Sequence, residues 1–168
     1  MSNADVSNHL VADFRLAMRR LATTVSIVTC GAGESRHGMT ATAVTSVCAH
    51  PPTILVCINS EARLYAKVNE IRRLCINLLK TSHVALSQRF GARHDAQDRF
   101  AIGNWGEHDA LPYLKDAQAN LFCSVEQVIA VGSHGIFIAR IDEINVAEEI
   151  EPLIYQNGAY AMVSEMRR

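Results

Sequence analysis

The sequence predicts a single, mainly β domain with a few helices, and three observations lead there. From residue 38 to 47 (GMTATAVTSV) side chains alternate with the period of two that a strand imposes. Residues 53–58 (TILVCI) form an apolar run of buried-strand length, and residues 74–79, 121–131 and 136–146 repeat the strand pattern. In the last of these, Ile136 and Ile138 fill one face while Phe137, Ala139 and Ile141 fill the other. Strands apolar on both sides, without helices alternating regularly between them, favour a closed barrel over a doubly wound sheet. With 168 residues, 49% hydrophobic and 20% charged, the chain can bury one core and needs no second domain. Residues 1–8 read as a disordered tail ahead of it.

The elements follow in order. Leu10, Phe14, Ala17, Met18 and Leu21 form one stripe, so residues 9–21 read as an amphipathic entry helix. Residues 24–30 (TVSIVTC) alternate as a strand, and the glycine-containing stretch 31–37 is a hairpin loop into the next. On that next strand Thr40, Thr42, Val44 and Ser46 share one face, while Met39, Ala41, Ala43, Thr45 and Val47 share the other. Pro51-Pro52 marks a strand boundary, because proline cannot donate to a central ladder. After Asn59, Ser60 is an N-cap candidate for a helix over 61–70, whose Leu64, Val68 and Ile71 fall at helical spacing. A second helix is expected over 82–90, capped by Ser82 and closed by Gly91. Residues 91–111, with Arg93, His94, Asp95, Asp98 and Arg99, read as a solvated loop of a length that suits a lid or a partner contact.

Composition excludes several function classes. The net charge is -1 and the sixteen Lys and Arg are dispersed, which leaves no nucleic-acid footprint. No stretch approaches the roughly 18 apolar residues of a membrane span and the N-terminus has no apolar leader core, so a cytoplasmic location is expected. The five cysteines Cys30, Cys48, Cys57, Cys75 and Cys123 form no C-x-x-C pair and read as reduced small hydrophobes. No Ser-His-Asp order, paired-carboxylate spacing, P-loop or G-x-G-x-x-G after a strand is found, against hydrolase, kinase and Rossmann chemistry. Two features point to a ligand. Thr40, Thr42 and Ser46 offer three hydroxyls beside small alanines, and the strand-to-helix junction at Asn59-Ser60 offers backbone N–H groups to an anion such as a phosphate. The first pattern also describes a half-exposed strand with threonines on its wet face. His134, between Gly132 and Gly135, is presented at a strand mouth as a hydrogen-bond donor or proton carrier, or else is a satisfied core histidine.

Taken together, FRLAMRRLATTVSIVT (14–29), GMTATAVTSV (38–47), PPTILVCIN (51–59), INLL (76–79), LSQRFG (86–91), LPYLKDAQANLFCSV (111–125), GSHGIFIARI (132–141) and PLIYQNGAY (152–160) resemble the flavin reductase-like proteins of the FMN-binding split-barrel fold. That family includes reductase components of two-component flavin-dependent monooxygenases. It commonly carries Gly-Asp-His where this chain has Gly132-Ser133-His134. The resemblance implies an FMN-binding split β-barrel. It also implies an NAD(P)H-dependent flavin reductase with FMN or FAD, NADH or NADPH as co-substrate, a homodimer with flavin near the subunit interface, and a flavin-dependent oxygenase component served through diffusing reduced flavin. By the same resemblance Thr40, Thr42, Ala43, Val44 and Ser46 lie along the flavin, with Cys57, Ile58, Asn59 and Ser60 near its ring and phosphate. Phe90 packs near the isoalloxazine or adenine side, and His134 faces the nicotinamide. A non-enzymatic flavin-binding electron carrier, and a reductase with tightly held FMN that serves another acceptor such as a corrinoid or quinone, are the alternatives. A pyridoxamine-phosphate oxidase-like barrel is disfavoured, since the predicted strands carry no basic phosphate cluster.

Overall fold

The structure is a computed structural model that describes the backbone of residues 3–7 and the whole of residues 8–92 and 98–164. Its elements are α1 (Asn3–Met18), β1 (Thr23–Thr24), β2 (Ser26–Cys30), β3 (His37–Ala41), β4 (Val44–Ala49), β5 (Pro52–Asn59), α2 (Arg63–Ile71), β6 (Arg73–Leu78), α3 (Val84–Gly91), β7 (Trp105–His108), β8 (Leu111–Leu114), β9 (Ala119–Val131), β10 (His134–Val146), β11 (Ile154–Gln156) and β12 (Ala159–Ala161). The expected β-rich single domain is what forms. α1 begins at Asn3, inside the segment read as a disordered tail.

Seven antiparallel strands make the main sheet, in the order β3-β2-β6-β9-β10-β5-β4. The two edge strands, β3 and β4, are consecutive in the chain and are joined by Thr42-Ala43 alone. A sheet whose opposite edges are two residues apart must curl until those edges approach, and at that corner the Cys57 N–H donates to the Ala43 carbonyl at 3.0 Å, which extends the β4–β5 ladder by one residue. The edges meet end to end, and no β3–β4 ladder is present among the described residues. The barrel is therefore split, and the expectation of full closure is corrected on that point.

Two large cores and a small third cluster of Cys75, Leu111 and Phe122 fill the fold. Inside the barrel, Val28, Ile54, Val56, Ile58, Leu74, Ile76, Phe137 and Ala139 are plugged at one end by Leu64 and Val68 of α2. Outside it, Ile27, Leu79, Phe90, Phe100, Leu114 and Leu153 form a second cluster beneath α3 and the β7–β8 hairpin. β2 is thus buried on both faces along its whole length. The double-sided reading of β10 holds less well: Gly135, Phe137 and Ala139 point inward with Ile141 packed against the same core, while Ile136 and Ile138 are only half-buried because no layer covers them. Buried Asn77 ties the layers together. Its Nδ2 donates to the Ile27 carbonyl at 2.8 Å, and its Oδ1 accepts from the Leu114 N–H at 2.7 Å and from Asn120 Nδ2 at 2.9 Å.

Three local expectations are corrected. α2 starts at Arg63 with Ala62, not Ser60, in the capping position. Residues 81–83 form a separate 3₁₀ turn, so Ser82 is not the cap of α3. The stretch 91–111 is not a plain solvated loop. Arg93, His94 and Asp95 lie outside the described residues, but Phe100 is buried and Trp105 and His108 bound a strand that pairs with β8. That hairpin turns through Asp109 and Ala110 at φ 49 and 61, the left-handed pair that such two-residue turns require.

Candidate functional site at the barrel seam

The site grows from the seam. Where β3 ends, Thr40 and Thr42 face Ser87, Gln88 and Gly91 of α3 and the two tyrosines of the C-terminal hairpin, Tyr155 and Tyr160, across an open cleft of about 440 Å³. The cleft is held by specific bonds. Thr40 Oγ1 donates to the Ser87 carbonyl at 2.6 Å, which ties β3 to α3, and the Tyr160 hydroxyl donates to Ser87 Oγ at 2.9 Å. Tyr155 stands edge-on to Tyr160 with ring centroids 5.4 Å apart. Hydroxyls, small residues and aromatic edges around a volume of this size suit a planar heteroaromatic ligand.

The second half lies at the ends of β5 and β10. His134 pairs in register with Asn59, and the turn before it, Gly132-Ser133, folds against Ser60. Both the N–H and the hydroxyl of Ser60 donate to the Ser133 carbonyl, at 2.9 and 3.1 Å. Asn59 closes its own turn, with Oδ1 accepting from the Glu61 N–H at 2.8 Å and its carbonyl accepting from the Ala62 N–H at 3.0 Å. These amides were expected to hold an anion, yet those of Ser60, Glu61 and Ala62 are already bonded, the first to Ser133 and the other two to Asn59. Arg63 is the first residue of α2, a cation placed on the positive end of a helix with no acid in its first turn, an arrangement that favours an anion nearby. Arg63, Lys67 and Arg99 also surround half-buried His37; its burial, and then these three cations, lower its pKa from the ordinary histidine range.

The residues nominated from sequence separate accordingly. Thr40 and Thr42 line the cleft, Ala43 and Cys57 meet at the seam, and Asn59, Ser60 and His134 cluster at the strand ends. The expected single face of Thr40, Thr42, Val44 and Ser46 does not form. Residues 42 and 43 are not part of either strand, and a break in a period-two pattern resets its phase. Val44 packs against the barrel interior, and Ser46 lies exposed farther along β4, opposite Ile54. Ile58 is fully buried, and the Phe90 ring is locked in the outer core against Phe100 and Trp105, at centroid distances of 5.1 and 5.2 Å.

Ser87, Gln88, Tyr155 and Tyr160 were not nominated. The tyrosines carried a readable signal, since Asn157-Gly158 between them is a strong two-residue hairpin turn, observed here with φ 51 and 84. The α3 residues carried none.

Three of the five thiols are buried and unreactive. Burial pushes the Cys30 and Cys123 pKa values up to about 12 and the Cys75 value well above its ordinary range, so all three stay protonated at neutral pH. No group of three or more His, Cys, Asp or Glu side chains able to hold a metal occurs among the described residues, and none of their helices is long and apolar enough to cross a membrane.

Comparison with known proteins agrees with this geometry. The reductase component of the FADH(2)-dependent resorcinol hydroxylase of Rhizobium sp. (strain MTP-10005) is 37% identical over 155 residues, covering 90% of this chain and 87% of that protein. The FMN reductase (NADH) RutF of Agrobacterium fabrum is 38% identical over 152 residues, with 90% and 87% covered. Among solved structures, flavin reductase PheA2 superposes with a TM-score of 0.82 at 30% identity, covering 90% of this chain and 97% of that one. The styrene monooxygenase flavin reductase of Pseudomonas putida S12 superposes with a TM-score of 0.83 at 28% identity, covering 92% and 99%. The model of the flavin reductase like domain matches residues 18–164, nearly the whole of this fold including both halves of the seam site, and the chain therefore belongs to the flavin reductase-like domain family.

Proposed function

We propose that this chain is an NAD(P)H:flavin oxidoreductase that binds FMN or FAD at the seam and supplies reduced flavin to a separate flavin-dependent oxygenase. The observation that carries the reading is the seam itself: a hydroxyl- and tyrosine-lined cleft joined through Ala43 and Cys57 to a histidine at a strand mouth, with the three buried thiols protonated. Such a site can bind and orient a redox cofactor but offers little chemistry of its own. A bound flavin supplies the hydride acceptor, and the nicotinamide supplies the hydride.

The protein's part is then placement. Thr42, with Ser87 and Tyr160, donates to or accepts from the ring edge, Arg63 at the start of α2 attracts the phosphate, and His134 holds the nicotinamide from the β10 side. Holding both rings in contact supplies proximity, and fixed donors near the flavin stabilise the negative charge that reduction places on it. We assign the chain to the cytoplasm and to a homodimer. Val47, Ile129 and Val131 on the uncovered outer face of the β4-β5-β10-β9 sector, and Leu10, Phe14 and Leu21 at the N-terminal helix and just beyond it, are exposed apolar groups of the kind that a subunit interface covers.

Steady-state NADH oxidation with and without added FMN or FAD tests the reading. Flavin-dependent turnover is expected, and a folded protein that consumes no NADH with either flavin would refute it. Thr42→Val should weaken flavin binding about fivefold, roughly 1 kcal/mol for one hydrogen bond. His134→Ala should leave flavin affinity unchanged while lowering kcat/KM for NADH by about 10- to 100-fold.

A further inference from the structure

The turn that carries His134 has more structure than a hairpin needs. Ser133 Oγ lies 3.0 Å from His134 Nδ1, although neighbouring side chains on a strand point to opposite faces. The contact exists because Ser133 is a turn residue. Gly132, at φ +55 with open space around it, lets the chain reverse there, and the two bonds from Ser60 fix the Ser133 carbonyl. His134 itself is held by pairing with Asn59 on one side and Val131 on the other. An exposed imidazole is thus anchored at its backbone by two strands and at one ring nitrogen by a serine whose own carbonyl is held by Ser60, the residue after Asn59.

We propose that Ser133 is a positioning residue that donates its hydroxyl proton to Nδ1 of His134 and so holds the ring in the tautomer with its proton on Nε2. In a neutral imidazole one nitrogen donates and the other accepts, and the bond made by one sets the role of the other. Among the described residues His134 Nδ1 is the side-chain partner of the Ser133 hydroxyl. The free imidazole side chain already prefers the proton on Nε2, so the serine acts in the same direction. The consequence is a fixed N–H donor at the strand mouth, suited to a carbonyl oxygen such as that of a nicotinamide carboxamide. This last step rests on the proposal that His134 meets the nicotinamide; the tautomer does not.

The test reads the two separately. Long-range ¹H–¹⁵N spectra of the full-length protein, with the His134 signals assigned through His134→Gln, are expected to show the Nε2–H tautomer. Ser133→Ala should move these signals toward a mixture of tautomers, and Ser133→Thr, which keeps the hydroxyl, should restore them. In parallel, Ser133→Ala should lower kcat/KM for NADH about fivefold, the scale of one hydrogen bond, with flavin affinity unchanged and Thr again restoring it. An Nδ1–H tautomer in the native protein, or spectra unaltered by Ser133→Ala, would overturn the positioning role. Spectra that switch as expected with kcat/KM unmoved would uphold that role and remove the nicotinamide from His134.

Discussion

Gly38 opens the GMTA segment, and the fold explains why a glycine stands there. A Cβ at this position would lie 2.6 Å from Cε1 and 2.9 Å from Cδ1 of Phe90, and 3.3 Å from Cγ2 of Thr29. The Phe90 ring cannot swing away, because it is 1% exposed and packed against Phe100 and Trp105. Gly38→Ala therefore forces α3 away from β3 or strains the aromatic cluster, at about 2 kcal/mol for an overpacked core. In a chain of this size that corresponds to a loss of roughly 4–8 °C in Tm. The same displacement stretches the 2.6 Å bond from Thr40 to the Ser87 carbonyl, so flavin affinity should fall with stability. Urea unfolding followed by the fluorescence of Trp105, the one tryptophan, measures the first effect. Adding Phe90→Leu should recover about 1 kcal/mol or more of the Gly38→Ala cost, since the two changes share one contact. A Gly38→Ala variant within 0.5 kcal/mol of the parent, or a strictly additive double variant, would show that the ring and the β3 backbone are not in the contact described.

Other consequences are equally direct. Asn77→Ala strands the buried Leu114 N–H and Ile27 carbonyl together, and should cost about 3–5 kcal/mol in urea unfolding; a loss under about 1 kcal/mol would mean that water replaces the side chain. His37 has a folded-state pKa below its unfolded value, so the unfolded chain binds the extra proton first. Stability should therefore fall as pH drops below about 6.5 toward the folded value, and His37→Asn should remove that part of the slope, as unfolding at several pH values will show. In thiol titration of the native protein at pH 8, exposed Cys48 should react quickly and half-buried Cys57 slowly, while Cys30, Cys75 and Cys123 wait for denaturant; rapid reaction of more than two thiols would contradict their burial.

The strands at 24–30, 53–58, 74–79, 121–131 and 136–146 were legible from residue pattern, because alternation and apolar runs are local properties that any neighbour layer must respect. His134 at a strand mouth and the half-buried hydroxyl residues Thr40 and Thr42 were legible for the same reason, as were the small residues around them. Tertiary structure decided the rest. The corner at Thr42-Ala43 exists because opposite edges of a curled sheet must be joined there, and nothing within GMTATAVTSV marks the break that turns Val44 inward and leaves Ser46 away from the cleft. Ser60 looked like a helix cap with hydroxyl and amide to spare, but both bond a carbonyl 73 positions away, a partner that register alone brings near. The resemblance set Phe90 beside the flavin, but the stretch 91–111, read as a solvated loop, supplies Phe100 and Trp105 that pack against its ring. Periodicity determines which side chains share a face, whereas which faces meet, and which polar groups find partners there, depends on how distant strands pair and what remains to cover them.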